Sequence, residues 1–291
     1  MTQIIPEDIT LNVGIQFHIR YWRPSGPVEN WKQPFLLLHG LSSNARTWDP
    51  LAARLAKAGY PAAAMDQRGH GLSEKPDSGY DFKTITQDLK GVIDHLGWRQ
   101  PILVGQSWGG NVLLEFAARF PGRAYNYIFV DGGFLDLKAR GPWEQSEIEL
   151  RPPDLIGIPR AQIADRIRQM HPGWGKDGVE ATLGNFEILP DQTVRPWLSL
   201  ERHMRLLRTM YDQDPASLYP RVEEPVLICG ADDGSEKMTF KQDQVRAALA
   251  ALKKAEVVWF PDAAHDIHLD QPQALFSAIL SFQENANRMS N

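Results

Sequence analysis

Residues 103–111, LVGQSWGGN, form an apolar run that stops at a serine set among glycines: Gly105, Gln106, Ser107, Trp108 and Gly109, with Gly110 behind. Glycines let a chain turn more sharply than other residues allow, and here they hold one serine at the apex. Serine is also favoured as a helix N-cap, but a cap explains neither the flanking glycines nor what lies downstream. The chemistry that an apical serine offers is nucleophilic. Its hydroxyl reacts poorly at neutral pH until a base within hydrogen-bond reach accepts the proton. A histidine would supply that base and a carboxylate would orient it. Candidates stand at the ends of other apolar runs: His39 with Gly40 and Leu41, Asp66, Asp131, Asp232, Asp233 and, late in the chain, His265.

The elements that must position these residues follow from hydrophobic pattern. DITLNVGIQFHIRYW, 8–22, alternates apolar and polar residues about a glycine and predicts an antiparallel hairpin at a sheet edge. PFLLLHG, 34–40, is continuously apolar, as a strand covered on both faces must be. Leu51, Leu55 and Ala58 then share one helical face, and Ile85, Leu89, Val92, Ile93 and Leu96 another. Strands follow at 60–66, 101–105 and 125–131, with a helix over SWGGNVLLEFAARFP. Two more strand–helix units close the chain from Pro225. This alternation predicts an α/β fold with helices on both faces of a parallel sheet, and such sheets gather active residues at the carboxyl ends of their strands. Between Asp131 and Pro225 the pattern breaks into a segment rich in Pro and Trp, with helical stretches at 160–170 and 198–212 and no core strand. Residues 134–217 are read as an inserted helical cap, and 1–133 with 218–291 as the core domain.

HG at 39–40, DQRGHGLS at 66–73, GQSWGG at 105–110, GADD at 230–233 and PDAAH at 261–265 together resemble the α/β-hydrolase fold superfamily, in its cap-bearing branch. The resemblance covers nearly the whole chain except the cap. It implies a mostly parallel, twisted sheet of about eight strands with helices on both faces. It further implies Ser107 as nucleophile, His265 as base, and the backbone N–H groups of Leu41 and Trp108 as the oxyanion hole. The family pattern puts the triad acid at Asp233. Asp232 is its neighbour, and Asp131 is the alternative, since some relatives place the acid after the strand preceding the cap. His39 and Gly40, with Trp174, Phe186 and Trp197 of the cap, are candidate substrate contacts. His39 and His70 also lie in loops that shape the pocket floor, and Trp143 and Tyr211 are further cap aromatics. His268 is expected as a polar surface group.

The nucleophile type narrows the activity. Haloalkane dehalogenases and epoxide hydrolases resemble this layout but need an aspartate where this chain has Ser107. Proline iminopeptidases share the elbow but carry a Gly-Gly-Pro-Gly loop where this chain has HGLSSN. Serine hydrolysis of a small-molecule ester, thioester or lactone is the leading expectation. The alternatives are carbon–carbon bond hydrolysis of a diketone-like acid, and a ligand receptor on the same fold.

Composition bounds the rest. A net charge of −5 without basic runs argues against nucleic acid as a partner. No run reaches the roughly 18 apolar residues of a membrane span, and MTQIIPEDIT lacks the basic and apolar regions of a secretory signal. Cys229 is the only cysteine, which excludes an intramolecular disulfide and suits a reducing, cytoplasmic setting. The HDIH pair at 265–268 has no third ligand of familiar spacing, so no metal is expected. No cofactor is expected either. The expected partner is a small substrate with an apolar part, acted on by a monomer or homodimer.

Overall fold

Continuous apolar runs become strands buried on both faces, and the computed structural model, which describes residues 4–289, stacks them at the centre of one sheet. Its strands are β1 (Glu7–Val13), β2 (Ile15–Trp22), β3 (Phe35–Leu38), β4 (Ala62–Met65), β5 (Ile102–Gln106), β6 (Asn126–Val130), β9 (Val226–Asp232) and β10 (Ala255–Pro261). A separate hairpin pairs β7 (Phe186–Ile188) with β8 (Val194–Pro196). The eight-stranded sheet runs β1-β2-β4-β3-β5-β6-β9-β10. The expected edge hairpin is β1–β2, antiparallel from Glu7↔Tyr21 to Val13↔Ile15, and β2 also meets β4 antiparallel. All other pairings in this sheet are parallel. The outermost residues of the expected core, 1–3 and 290–291, lie outside the described residues.

Among the described residues eleven helices flank or extend the sheet: α1 (Asp49–Lys57), α2 (Phe82–His95), α3 (Trp108–Arg119), α4 (Trp143–Glu149), α5 (Arg160–Met170), α6 (Lys176–Leu183), α7 (Leu200–Asp212), α8 (Pro215–Leu218), α9 (Met238–Ala251), α10 (Ile267–Asp270) and α11 (Pro272–Met289). Side chains alternate across a strand, so β3 sends Leu36 and Leu38 into one core and Phe35 and Leu37 into another. The first core gathers Leu89 and Val92 of α2, Val112 and Phe116 of α3, and Val245 of α9. The second gathers Leu51 and Leu55 of α1 with Leu275, Ile279 and Phe282 of α11. Each fully buried side chain of this size contributes about 1.5–3 kcal/mol by leaving water.

The chain between β6 and β9 carries α4 to α8 and the β7–β8 hairpin. The helical stretches read at 160–170 and 198–212 appear as α5 and α7. The hairpin is an addition, because three-residue strands leave too little alternation to read. Ile163 and Ile167 of α5, Val179 and Leu183 of α6 and Val194 of β8 make a small core of their own. Helix α7 does not join it. Leu206, Leu207 and Met210 pack with Phe134, Leu135 and Leu137 into the first main core. Among the described residues no helix is long and apolar enough to cross a membrane.

Candidate active site

Strand β5 lies between β3 and β6, so the chain leaves it at the middle of the sheet's carboxyl edge. Ser107 is the turning residue, with φ 52° and ψ −121°, and its N–H donates to Val130 O at 2.9 Å. A non-glycine residue in this region costs on the order of 1–3 kcal/mol, and surrounding structure must hold it there. Gly105 shows how. A Cβ on it would sit 2.5 Å from the backbone carbonyl of Gly109, so α3 packs against β5 only because that side chain is missing. Trp108 begins α3, and a first-turn N–H has no acceptor within its own helix.

The loop after β3 faces this turn. A Cβ on Gly40 would meet the Gln106 side-chain oxygen at 2.2 Å and Ser107 Cβ at 3.2 Å, so the loop backbone lies against the serine. Leu41 follows, and no protein acceptor for its N–H is found among the described residues. Ser42 is a second strained residue, with φ 60°; its N–H donates to His70 Nε2 at 3.3 Å. Beneath the loop, His39 Nδ1–H donates to Gly40 O at 2.8 Å and Nε2 accepts the Gln67 N–H at 3.0 Å. Burial holds the His39 and His70 imidazoles below their ordinary pKa, the second strongly, so both are neutral braces. Asp66 ties the surrounding loops together. Its carboxylate accepts from the N–H groups of Ala45 and Leu72 and pairs with His18 Nδ1 at 2.8 Å. Although burial opposes its charge, the His18 contact and these donors bring its pKa down to about 2.

His265 follows β10. Its Nδ1–H donates to Asp131 Oδ2 at 2.6 Å. Asp131 stands just past β6 with φ 45°, and its side chain is 2% exposed. Its Oδ1 accepts the Ala231 N–H at 3.0 Å, and its Oδ2 also accepts from Lys241 Nζ at 3.0 Å. Burial works against this carboxylate's charge, but the His265 and Lys241 contacts hold its pKa below the ordinary range. Burial also disfavours the imidazolium, yet the Asp131 bond and charge lift the His265 pKa above its usual value. The His265 side chain is 51% exposed, toward a cavity that Ser107 also lines. Among the described residues no hydrogen bond joins the two, and such pairs are often loose before substrate arrives.

Asp233, the expected partner of His265, is not there. Its side chain is exposed and accepts the N–H of Ser235 at 3.0 Å, while Asp232 accepts the N–H of Gly234 at 3.1 Å. The chain turns at Gly234 with φ 67°, and both aspartates are spent capping that turn. Asp131 fills the place instead, because β6 is the strand next to β5.

Two adjoining cavities meet at this point. One, of about 180 Å³, is bounded by Gly40, Leu41, Ser107, His265 and polar side chains that include Thr47 and Asn185. The other, of about 320 Å³, lies between core and β7–β8 and is bounded chiefly by Pro153, Leu155, Phe186, Trp197 and Leu198. Of the candidate substrate contacts, Gly40, Phe186 and Trp197 line a cavity. Two expected contacts do not. His39 is fully buried with both nitrogens used, and Trp174 stacks on His171 at 3.7 Å and packs against the α5–α6 core. His268 is buried on Trp48 rather than at the surface, and burial lowers its pKa to about 4. Lys241, Ser42 and His203 join the site without any local sequence signal. His203, on α7, bonds Ser42 Oγ at 2.7 Å.

The model of the alpha/beta hydrolase family matches residues 35–278. A Mesorhizobium japonicum protein named 2-(acetamidomethylene)succinate hydrolase is 36% identical over 278 residues, covering 94% of this chain and 91% of that one. The crystal structure of E-2-(acetamidomethylene)succinate hydrolase superposes with a TM-score of 0.79 at 24% identity, covering 96% of this chain and 99% of that one. A thioesterase domain from the curacin biosynthetic pathway superposes with a TM-score of 0.76 at 20% identity, over 95% of this chain and 99% of that domain.

Proposed function

The chain belongs to the alpha/beta hydrolase family, and from that premise we propose that it is a serine hydrolase of small acyl compounds, with Ser107, His265 and Asp131 as its triad. One observation carries the reading. A serine held at φ 52° shares a cavity with a histidine whose far nitrogen is bonded to a buried carboxylate. A structural serine has no need of that strain, and a structural histidine no need of that partner.

The steps follow from the roles. Ser107 Oγ attacks the substrate carbonyl carbon while its proton passes to His265 Nε2. The Leu41 and Trp108 N–H groups donate to the oxyanion that forms. The tetrahedral species collapses, the leaving group departs with the proton from His265, and an acyl ester remains on Ser107. Water, deprotonated by His265, attacks that ester and releases the acid. Throughout, Asp131 keeps the proton on Nδ1 and stabilises the imidazolium. Because His265 acts as a neutral base with a raised pKa, activity falls as pH drops through a value above the ordinary 6.5.

The cavities bound the substrate. The smaller one suits a short group beside the scissile carbonyl, and the larger one an apolar body. The compound in the Mesorhizobium relative's name carries an acetamido group and two carboxylates. Arg195 is the sole lysine or arginine lining the two cavities among the described residues, and it is paired with Glu187. This favours a short acyl ester of an apolar alcohol over a dicarboxylate. Turnover of p-nitrophenyl esters from acetate to decanoate, by wild type beside Ser107→Ala, tests the proposal. The expected result is fastest turnover for the shortest chains and a loss of at least about a thousandfold in the variant. Undiminished turnover by Ser107→Ala overturns it.

A further inference from the structure

Asp131 Oδ2 accepts two donors at once, His265 Nδ1–H and the ammonium of Lys241. We infer that Lys241 is a positioning residue for the triad, clamping the acid and setting the pH below which the histidine stops working as a base. The inference rests on the serine-hydrolase reading for its catalytic consequence, and its geometry stands apart from it.

Lys241 comes from α9, the helix that follows β9. Its ammonium donates to Ala231 O at 2.9 Å and to Asp131 Oδ2 at 3.0 Å. Ala231 grips the other end of the same carboxylate, its N–H donating to Oδ1 at 3.0 Å. One residue of β9 and one of α9 therefore fix both oxygens of Asp131, and the carboxyl group cannot rotate away from His265. The ion pair is secluded, with Asp131 2% and Lys241 21% exposed, so solvent screens it less than a surface pair. An isolated carboxylate this deep would favour the protonated acid. The His265 contact, the ammonium and the Ala231 N–H together favour the ionised form, which is the form that accepts the Nδ1–H.

The clamp has a second effect, on how readily the Asp131–His265 pair takes up a proton. The charged groups facing His265 are Asp131 and Asp266, which favour the imidazolium, and Lys241, which opposes it; buried His268 stands beside them. Asp131 faces His265 and Lys241, with Arg140 at longer range. Removing the ammonium takes one positive charge from the Asp131–His265 pair. A proton then binds the pair more easily, whether it settles on the imidazole or the carboxylate. Either way the acid limb of the pH–rate profile moves up. Lys241 therefore extends activity toward lower pH.

The test compares wild type, Lys241→Met and Lys241→Arg by kcat/KM against pH on p-nitrophenyl acetate. In parallel, imidazole NMR titration of His265 is done in the Ser107→Ala background, with the signal assigned by His265→Gln. Lys241→Met should raise both the kinetic acid limb and the His265 titration by about one unit, with kcat reduced more than KM is changed. Lys241→Arg should restore both. Should Lys241→Met not fold, Lys241→Gln removes the same charge. A His265 titration unmoved by loss of the charge overturns the inference, even if kcat falls, because that fall would then be structural. Turnover insensitive to Ser107→Ala would sink the hydrolase reading alone, and the NMR titration would still judge the clamp.

Discussion

A carboxylate can orient a catalytic imidazole only from within hydrogen-bond reach, and two aspartates compete for the acid role in the proposed triad. Asp131 is buried, strained in its backbone and bonded to His265 at 2.6 Å, whereas Asp233 caps an exposed turn. Replacing them isosterically separates the two. Asp131→Asn should lower kcat by about a thousandfold or more, since a neutral amide no longer selects the Nδ1–H tautomer. Asp233→Asn, at a solvated turn, should leave kcat within about twofold, because substitutions away from special features cost little. Steady-state kinetics on a p-nitrophenyl ester reads both, and equal effects would return the acid role to open question. The strained φ values of Ser42, Ser107 and Asp131 put three stressed residues around one small volume, as sites that need an atom in one place commonly do.

Strands and helices carry that strain. Only Ser107 separates the end of β5 from the start of α3, and the close approach of Gly105 to Gly109 makes this possible. A methyl group at Gly105 would collide with backbone, which has no rotamer to yield. Gly105→Ala should therefore destabilise the fold by roughly 1–3 kcal/mol and displace the serine. Thermal unfolding and ester turnover measure the two effects. Full activity with an unchanged Tm would show that the turn has slack. Two strands away, Asp66 at the end of β4 joins the loops bearing Leu41 and His70 to β2. The loop proposed to bind the oxyanion is thus held by the edge hairpin as well as by the sheet.

At the scale of the molecule, the site lies where the segment between β6 and β9 returns over the sheet. Ser42–His203 joins the loop after β3 to α7, and the Asn44 amide donates to Ala181 O at 2.9 Å and to Asn185 Oδ1 at 2.5 Å. These contacts hold a polar space beside Ser107 and an apolar one beneath the β7–β8 hairpin. The larger space should set preference for the alcohol. Trp197→Ala ought to reduce the ratio of kcat/KM for phenyl acetate over ethyl acetate by roughly tenfold, as loss of apolar contact does. An unchanged ratio would place the alcohol elsewhere.

Local pattern alone determined a good deal of this. Periodicity laid out the parallel sheet, its edge hairpin and the two covering layers. A serine among glycines at the end of an apolar run marked the elbow, because only small neighbours permit that turn. A late histidine after the last strand supplied its counterpart. The rest depended on distances between residues far apart in the chain. Asp131 and Asp233 both follow apolar strands, and only the packing order β5-β6-β9 decides which one His265 meets. His39, Trp174 and His268 were legible as residue types but not as neighbours, so the burial of His39 and His268 and the packing of Trp174 on His171 stayed hidden. Lys241 reads as an ordinary solvated lysine on a helix. It becomes part of the site because α9 packs where its side chain spans to Ala231 and Asp131. Turn and strand formation depend on a few adjacent residues, whereas the partner of a buried charge is chosen by the whole fold.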